Sequence, residues 1–153
     1  MEENYQELKA KNFKFGQVGD FIKGTLTGVS KTTKVDSYGK LSHIYSVKAK
    51  EGIFLNSSKN EKTGKYVQDK EMTKVNDGED YTFFISNDKG VVISNMKDIL
   101  LGQKFMIKFV ESKPTDKGND VKIIKVFAGK DSSGKPLMDI HFETNESTNY
   151  DNF

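Results

Sequence analysis

Residues 104–110 (KFMIKFV) and 121–127 (VKIIKVF) are two short runs of β-branched and aromatic residues with lysines among them. Runs of this composition and length are typical of β-strands. The segment between them contains the turn-forming residues Pro114, Asp116 and Gly118. The two runs therefore predict a β-hairpin with an exposed loop.

A short helix is predicted immediately before this hairpin, over residues 94–101 (SNMKDILL). Ser94 or Asn95 can cap its start, and Gly102 suits the position after its end. The preceding run, residues 91–93, is predicted to be extended. The chain therefore enters the hairpin through a short helix.

Three more strands are predicted upstream, over residues 21–29, 41–50 and 81–85. The first of them has alternating character, and Gly24 and Gly28 inside it predict a bulge, a tight bend or a close backbone approach. A long first strand that bends is what a small closed barrel requires.

The predicted order is strand, strand, polar insertion, strand, short helix, strand, strand, tail. This order predicts an all-β chain with the OB-fold, a five-stranded Greek-key barrel, and one short helix between strands 3 and 4. Residues 1–138 would form the OB domain, with a mobile insertion at 53–74, and residues 139–153 a disordered acidic tail. An SH3-like barrel and a small sandwich remain alternatives, because strand order in space is not encoded in strand order along the chain.

The charges of the chain are distributed unevenly. All 24 basic residues are lysines, and the chain has no arginine. Before Asp139, 24 lysines and 18 acidic residues give a formal charge of +6, whereas the segment from Asp139 onward has four acidic residues and no lysine. A basic body with an acidic tail indicates a polyanion as partner, although an ordinary solvated lysine surface has the same composition.

Composition also narrows the functional class. The chain has no cysteine, which excludes disulfides and thiolate metal sites. No apolar run approaches the roughly 20 residues of a membrane-spanning helix. Residues 1–11 lack the apolar centre of a secretory signal. A cytoplasmic protein is therefore predicted.

Neither a phosphate-binding loop nor a histidine metal site is predicted from the sequence. Residues 129–135 (GKDSSGK) match the phosphate-loop spacing, but Pro136 stands where that motif needs Ser or Thr, so the stretch is interpreted as a turn. His43 and His141, the only histidines, have no carboxylate or second histidine at metal-ligand spacing. No metal, cofactor or catalytic residue is predicted, and a non-enzymatic protein is expected.

The positive signal for function is the interleaving of lysines with aromatic residues. Single-stranded nucleic acid is bound by a basic groove that contacts phosphates and by exposed rings on which bases stack. In an OB barrel the face of strands two and three, between the first–second and fourth–fifth strand loops, is the usual oligonucleotide surface. The candidate phosphate contacts on these loops and strands are Lys23, Lys31, Lys34, Lys40, Lys48, Lys108, Lys113, Lys117, Lys122 and Lys125.

Five aromatic residues are candidates for stacking on bases: Tyr38, Tyr45, Phe54, Tyr66 and Phe84. Phe and Tyr also dominate small hydrophobic cores, so core packing is the alternative for each of them. Tyr38 and Tyr66 lie in polar, glycine-adjacent stretches, which favours exposure of these two rings.

The segment 139–153 (DIHFETNESTNYDNF) is acidic, rich in Asn, Ser and Thr, and ends on Phe153. With this tail and the predicted strand order, the chain resembles the single-stranded DNA-binding proteins of bacteria and their phages. The resemblance implies one OB domain and a disordered acidic tail whose terminal aromatic residue binds replication and repair proteins. Asp151 and Phe153 would make that contact here. Asn152 stands where the bacterial tails have proline, which makes the phage proteins the closer match.

These observations predict a protein that binds single-stranded DNA with little sequence preference and protects it during DNA replication or recombination. Its tail would recruit replication or recombination proteins. The absence of arginine favours phosphate contacts and stacking over base reading, because bidentate arginine–guanine contacts are not available. An RNA-binding OB protein is one alternative, and a phage structural, interaction or inhibitor module is another. A homo-oligomer is compatible with each.

Overall fold

The computed structural model describes residues 11–31, 41–86, 89–116 and 120–139, and this part of the chain is mostly β, as predicted. It contains nine strands and one helix. In chain order they are β1 (Lys11–Asn12), β2 (Phe21–Lys31), β3 (Ser42–Phe54), β4 (Ser57–Lys59), β5 (Tyr66–Gln68), β6 (Thr73–Lys74), β7 (Asp80–Ser86), α1 (Gly90–Met96), β8 (Lys104–Lys113) and β9 (Val121–Ala128).

Seven of the strands form one mixed sheet in the order β1-β7-β3-β2-β8-β9, with β6 paired to β3. β2 lies in the middle and pairs antiparallel with both β3 and β8. β1 runs parallel to its neighbour β7, whereas the ladders between the long strands are antiparallel. β4 and β5 form a separate two-stranded ribbon. Among the described residues no ladder joins β7 to β9, so the sheet is not closed.

β8 and β9 form the hairpin predicted from their sequences. The inward positions of β8, Phe105, Ile107 and Phe109, are buried, and the alternate positions Met106 and Lys108 are more exposed. The period-two alternation in the sequence therefore decides which side of this hairpin packs on the core.

β2 is irregular at the two glycines predicted to interrupt it. The register between β2 and β3 shifts between Lys23 and Gly24, and again between Leu26 and Gly28. These shifts confirm the predicted bulges. β2 pairs with β8 over its first residues and with β3 along its length.

Replacing Gly24 by alanine should destabilise the protein by about 1–3 kcal/mol, the usual range for a side chain forced into a packed site. A Cβ at this position would collide with the Lys48 carbonyl oxygen on the neighbouring strand. Gly28→Ala is the matched control, since its nearest neighbour would be the Ser46 Cβ at 3.5 Å, an ordinary contact. Urea unfolding of both variants measures the difference, and equal free energies of unfolding would contradict the expected clash.

The helix lies about one turn earlier in the chain than predicted. α1 begins at Gly90, whereas the predicted span was 94–101, and residues 91–93 are helical rather than extended. Val92 and Ile93 lie within this helix, and their side chains are buried. Packing of these side chains on the core therefore outweighs the preference of Val and Ile for strands.

The N-terminal segment, residues 11–16, lies between the two edges of the sheet. β1 pairs with β7 at one edge. At the other edge, Lys122 Nζ of β9 donates a hydrogen bond of 2.7 Å to the Phe15 backbone oxygen. Phe13 and Phe15 are buried, and the Phe15 ring centroid lies 5.9 Å from that of Phe83. We call this junction of β7, residues 11–16 and β9 the seam.

The predicted insertion, residues 53–74, completes β3 and forms the β4–β5 ribbon and β6. Of the predicted tail, Asp139 is described, and residues 140–153 lie outside the described ranges. No helix in the described part of the chain is long and apolar enough to cross a membrane.

Candidate nucleic-acid interface

Five lysines lie on one side of the middle strands of the sheet, the side that faces away from the core. They are Lys23 on β2, Lys48 on β3, Lys104 and Lys108 on β8, and Lys125 on β9. The strand register brings them together, because Lys48 and Lys104 pair with Thr25 from its two sides and Lys108 pairs with Lys125. We call this set of five the lysine face.

Lys108 and Lys125 are direct cross-strand partners. Like charges directly opposite each other destabilise a sheet. The stability of the sheet therefore does not explain why both of these positions are occupied by lysine. An anion bound between their ammonium groups would remove the repulsion, which makes the pair suited to a phosphate.

Acidic side chains neutralise only part of the lysine face. Lys23 Nζ lies 3.8 Å from Glu51 Oε1, and both side chains are more than half exposed. Such a pair is weak and screened by salt, so a polyanion can replace it. The other four lysines of the face form no ion pair with any described residue.

Apolar side chains lie among these lysines, around a cavity of about 750 Å³. Phe127 is 43% exposed and lies directly opposite Met106 in the β8–β9 ladder. Both side chains line the cavity together with four of the five lysines. The lysine face therefore offers a ring for stacking beside ammonium groups for phosphates.

The chain returns to the lysine face after β9. The Lys104 N–H donates to the Leu137 oxygen at 2.9 Å, and the Asp139 N–H donates to the Gly102 oxygen at 2.7 Å. The Thr25 hydroxyl donates to Asp139 Oδ2 at 2.9 Å. Asp139, where the acidic tail begins in the sequence, therefore lies between Lys48 and Lys104 on this face.

A second basic cavity, of about 560 Å³, opens at the seam. Lys14, Lys89 and Lys122 line it together with Phe84, which is 51% exposed. No carboxylate lines it among the described residues. Tyr66 lies beside it, because Lys14 Nζ is 5.1 Å from the centroid of the Tyr66 ring. We call this cavity the seam cleft.

Lys122 is held in place at the seam cleft. Its Nζ donates to the Phe15 backbone oxygen and lies 5.6 Å from the centroid of the Phe109 ring. Although much of the residue is exposed, partial burial of its amine lowers the pKa of Lys122. The positive charge of Lys89 lowers this pKa further, while the Asp20 carboxylate acts in the opposite direction. An anion between Lys89 and Lys122 would reverse the shift.

The structure brings seven of the predicted site residues to these two surfaces. Lys23, Lys48, Lys108 and Lys125 belong to the lysine face, and Tyr66, Phe84 and Lys122 lie at the seam cleft. Lys31 and Lys113 are exposed at the ends of β2 and β8 and line neither cavity. The remaining predicted loop and tail residues lie outside the described ranges: Lys34, Tyr38, Lys40, Lys117, Asp151 and Phe153.

Two residues predicted as stacking candidates belong to the hydrophobic core. Tyr45 and Phe54 are each 2% exposed. The Tyr45 ring stacks on Phe83 with 5.3 Å between centroids, and burial raises the pKa of Tyr45 to about 12. Neither ring has a free face for a base, so both are corrected to core residues.

Four residues of the two surfaces were not identified from the sequence: Lys104, Phe127, Lys14 and Lys89. For Phe127 a signal was present, because period-two alternation in β9 places it on the same side as Lys125. Lys14 and Lys89 had no comparable signal. The seam that joins them is formed by segments far apart in the sequence.

The described residues do not favour a metal site or a phosphate-binding loop. No group of three or more acidic or histidine residues in the described ranges is placed to hold a metal ion. The 129–135 stretch is a tight turn, in which Asp131 Oδ1 accepts hydrogen bonds from the backbone N–H groups of Ser133 and Lys135. These N–H groups are occupied by the protein's own carboxylate rather than arranged for a phosphate.

No protein-family model matches the chain, and none of the curated proteins matches it.

Proposed function

We propose that this protein binds single-stranded DNA with little sequence preference, through the lysine face. The observation that carries the proposal is the Lys108–Lys125 pair, part of a basic surface that also exposes the Phe127 ring. Lysines contact phosphates without regard to sequence, and a ring stacks any base. Single strands offer both groups to one surface, whereas the bases of a duplex are stacked on one another and paired.

The sheet is, in this proposal, a partly open OB barrel. Its support is the pairing of the five long strands, since β2 pairs with β3 and β8, β3 pairs with β7, and β8 pairs with β9. The helix α1 lies between β7 and β8 in the chain. The seam occupies the place where such a barrel would close.

A protein of this kind coats strands exposed during DNA replication or recombination. Lysine, the only basic residue type in the chain besides histidine, favours that role. Its ammonium is a compact point charge suited to phosphate, and it lacks the planar fork with which arginine reads guanine. In this proposal the tail residues Asp151 and Phe153 contact replication or recombination proteins.

Gel shifts with labelled oligothymidine, a DNA duplex of equal length and oligouridine test the proposal. We expect the oligothymidine to bind and the duplex to bind far more weakly. Equal binding of duplex and single strand would overturn the single-strand assignment. Tighter binding of oligouridine would assign the surface to RNA, and no binding of any of the three would leave the lysine face as an ordinary solvated surface.

Removing residues 140–153 should raise the affinity for oligothymidine at low salt. Asp139 already lies on the lysine face, bonded to Thr25, so we expect the acidic residues that follow it in the sequence to compete with phosphates for the same ammonium groups. Because salt screens exposed charges beyond about 8–10 Å, the gain should vanish as salt increases. The comparison is between the full chain and a chain ending at Asp139, and equal affinities at low salt would contradict competition.

A further inference from the structure

We propose that the seam cleft is a second nucleic-acid site, which holds one unstacked nucleotide with its base on the Phe84 ring and its phosphate among Lys14, Lys89 and Lys122. This site has its own residues and its own chemistry. It goes beyond the proposed function of the lysine face and does not depend on it.

The two surfaces are separate. The cavity at the lysine face and the seam cleft share no lining residue. The lysine face is centred on β2, the middle strand, whereas the seam joins the two edges of the same sheet. The two cavities are therefore distinct parts of the surface, although β9 contributes Lys125 to the lysine face and Lys122 to the seam cleft.

Phe84 presents its ring to the cleft because of its position in β7. It alternates with Phe83 and Ile85, which are buried, so its side chain points away from the core. A single exposed apolar side chain is common and needs no functional explanation. Phe84 differs because three ammonium groups line the same cavity and no described carboxylate does.

Two of the three ammonium groups of the cleft are positioned by other contacts. Lys14 Nζ donates to Ser57 Oγ at 3.2 Å and lies over the Tyr66 ring. Lys122 Nζ donates to the Phe15 oxygen at 2.7 Å. Each ammonium has three donors, so both retain donors for a phosphate after these bonds are made. Because these side chains are already held, little rotamer entropy is lost when a phosphate binds.

A nucleotide fits the cleft better than a simple anion. Inorganic phosphate would use the lysines and leave the ring of Phe84 without a role. A nucleotide uses both, and a base stacked on an aromatic side chain typically contributes a factor of about 5 to 150 in affinity. With two sites, one protein molecule holds either one strand that passes through both or two separate strand segments.

The test is an NMR titration of the full chain carrying Lys108→Glu and Lys125→Glu, which weaken binding at the lysine face. The probe is an oligothymidine too short to span both sites. We expect saturable shifts at the amides of Phe84 and Lys89. Adding Phe84→Ala should weaken this binding about 5- to 150-fold, and adding Lys89→Glu should weaken it as well. Inorganic phosphate should bind more weakly than the probe and respond to Lys89→Glu but not to Phe84→Ala.

Two matched controls separate the cleft from general effects. Val91→Ala removes an apolar side chain that is 75% exposed outside the cleft, and Lys62→Glu reverses a charge on the β4–β5 turn. Neither should change the titration. Absence of saturable shifts at the cleft, or binding that is unchanged by Phe84→Ala in a folded variant, would overturn the proposal. Phe84 and Lys89 line the seam cleft and not the cavity at the lysine face, so shifts at their amides report on the cleft alone and this outcome is independent of the proposed function.

Discussion

Asp20→Ala should destabilise the protein by about 3–5 kcal/mol, less than the sum of its three hydrogen bonds, because the substitution also removes the desolvation cost of a buried carboxylate. The side chain is fully buried, and its Oδ2 accepts hydrogen bonds from the backbone N–H groups of Gly16, Gln17 and Leu55 at 2.8, 2.9 and 3.0 Å. Hydrogen bonds to a charged group contribute about 1.5–3 kcal/mol each, and their loss leaves buried donors without a partner. The carboxylate therefore joins the N-terminal segment, the start of β2 and the residue that follows β3.

Urea unfolding measures this loss, with two comparison variants. Asp20→Asn should lose less stability, because an amide oxygen still accepts the N–H bonds but without the negative charge. Asp77→Ala removes an exposed carboxylate that pairs with Lys50 at the surface and should change the free energy of unfolding by less than about 1 kcal/mol. If Asp20→Ala were no more destabilising than Asp77→Ala, the three hydrogen bonds would not stabilise the fold as argued.

Reversing the charges of Lys108 and Lys125 together should weaken oligothymidine binding at least about 25-fold at 0.1 M salt. Each phosphate neutralised on a single strand adds about 0.7 to the slope of log K against log salt. Each contact therefore makes binding roughly five times tighter at 0.1 M salt than at 1 M salt, and the loss of two contacts removes a factor of about 25. The added acidic groups also repel the strand. The control is Lys62→Glu with Lys65→Glu, which makes the same charge change on the β4–β5 turn.

The single variant Lys108→Glu separates binding from stability. It replaces a like-charged cross-strand pair by an opposite-charged one with Lys125. Stability should therefore rise by about 0.2–1 kcal/mol while DNA affinity falls. A variant that loses stability and affinity together would indicate that Lys108 supports the fold rather than a ligand.

The strands were largely predictable because one face of each is buried. In β3, the alternating residues Tyr45, Val47 and Ala49 are all buried, and the sequence pattern alone places them on one face. The bulges at Gly24 and Gly28 were predictable for a related reason, since glycine within a strand marks an irregular position. Local pattern and tertiary structure agree at these positions.

The helix position and the seam were not predictable in the same way. Ser94 and Asn95 resemble capping residues, yet they lie inside α1, and its N-cap residue, Lys89, makes no side-chain capping hydrogen bond. The position of the helix is instead determined by burial of the Ile93 side chain. The seam depends on the bond between Lys122 and Phe15, and residues so far apart in sequence leave no periodic signal.

Several residues of the candidate site could be identified from the sequence, but their arrangement in space could not. Lys23, Lys48, Lys108 and Lys125 were identified as phosphate contacts from their strands. Their grouping on one face depends on the register of three ladders. The β8–β9 register also shifts at Phe109, beyond the lysine pair, and no feature of the sequence indicates that shift.

The most direct test of phosphate binding by the lysine face is the affinity of the full chain for oligothymidine over a range of salt concentrations. If its five lysines each neutralise one phosphate, log K should fall against log salt with a slope near −3.5, from about 0.7 per phosphate on a single strand. Lys108→Glu with Lys125→Glu should bring the slope to about −2. A slope indistinguishable from zero, or one that these two substitutions leave unchanged, would contradict the account.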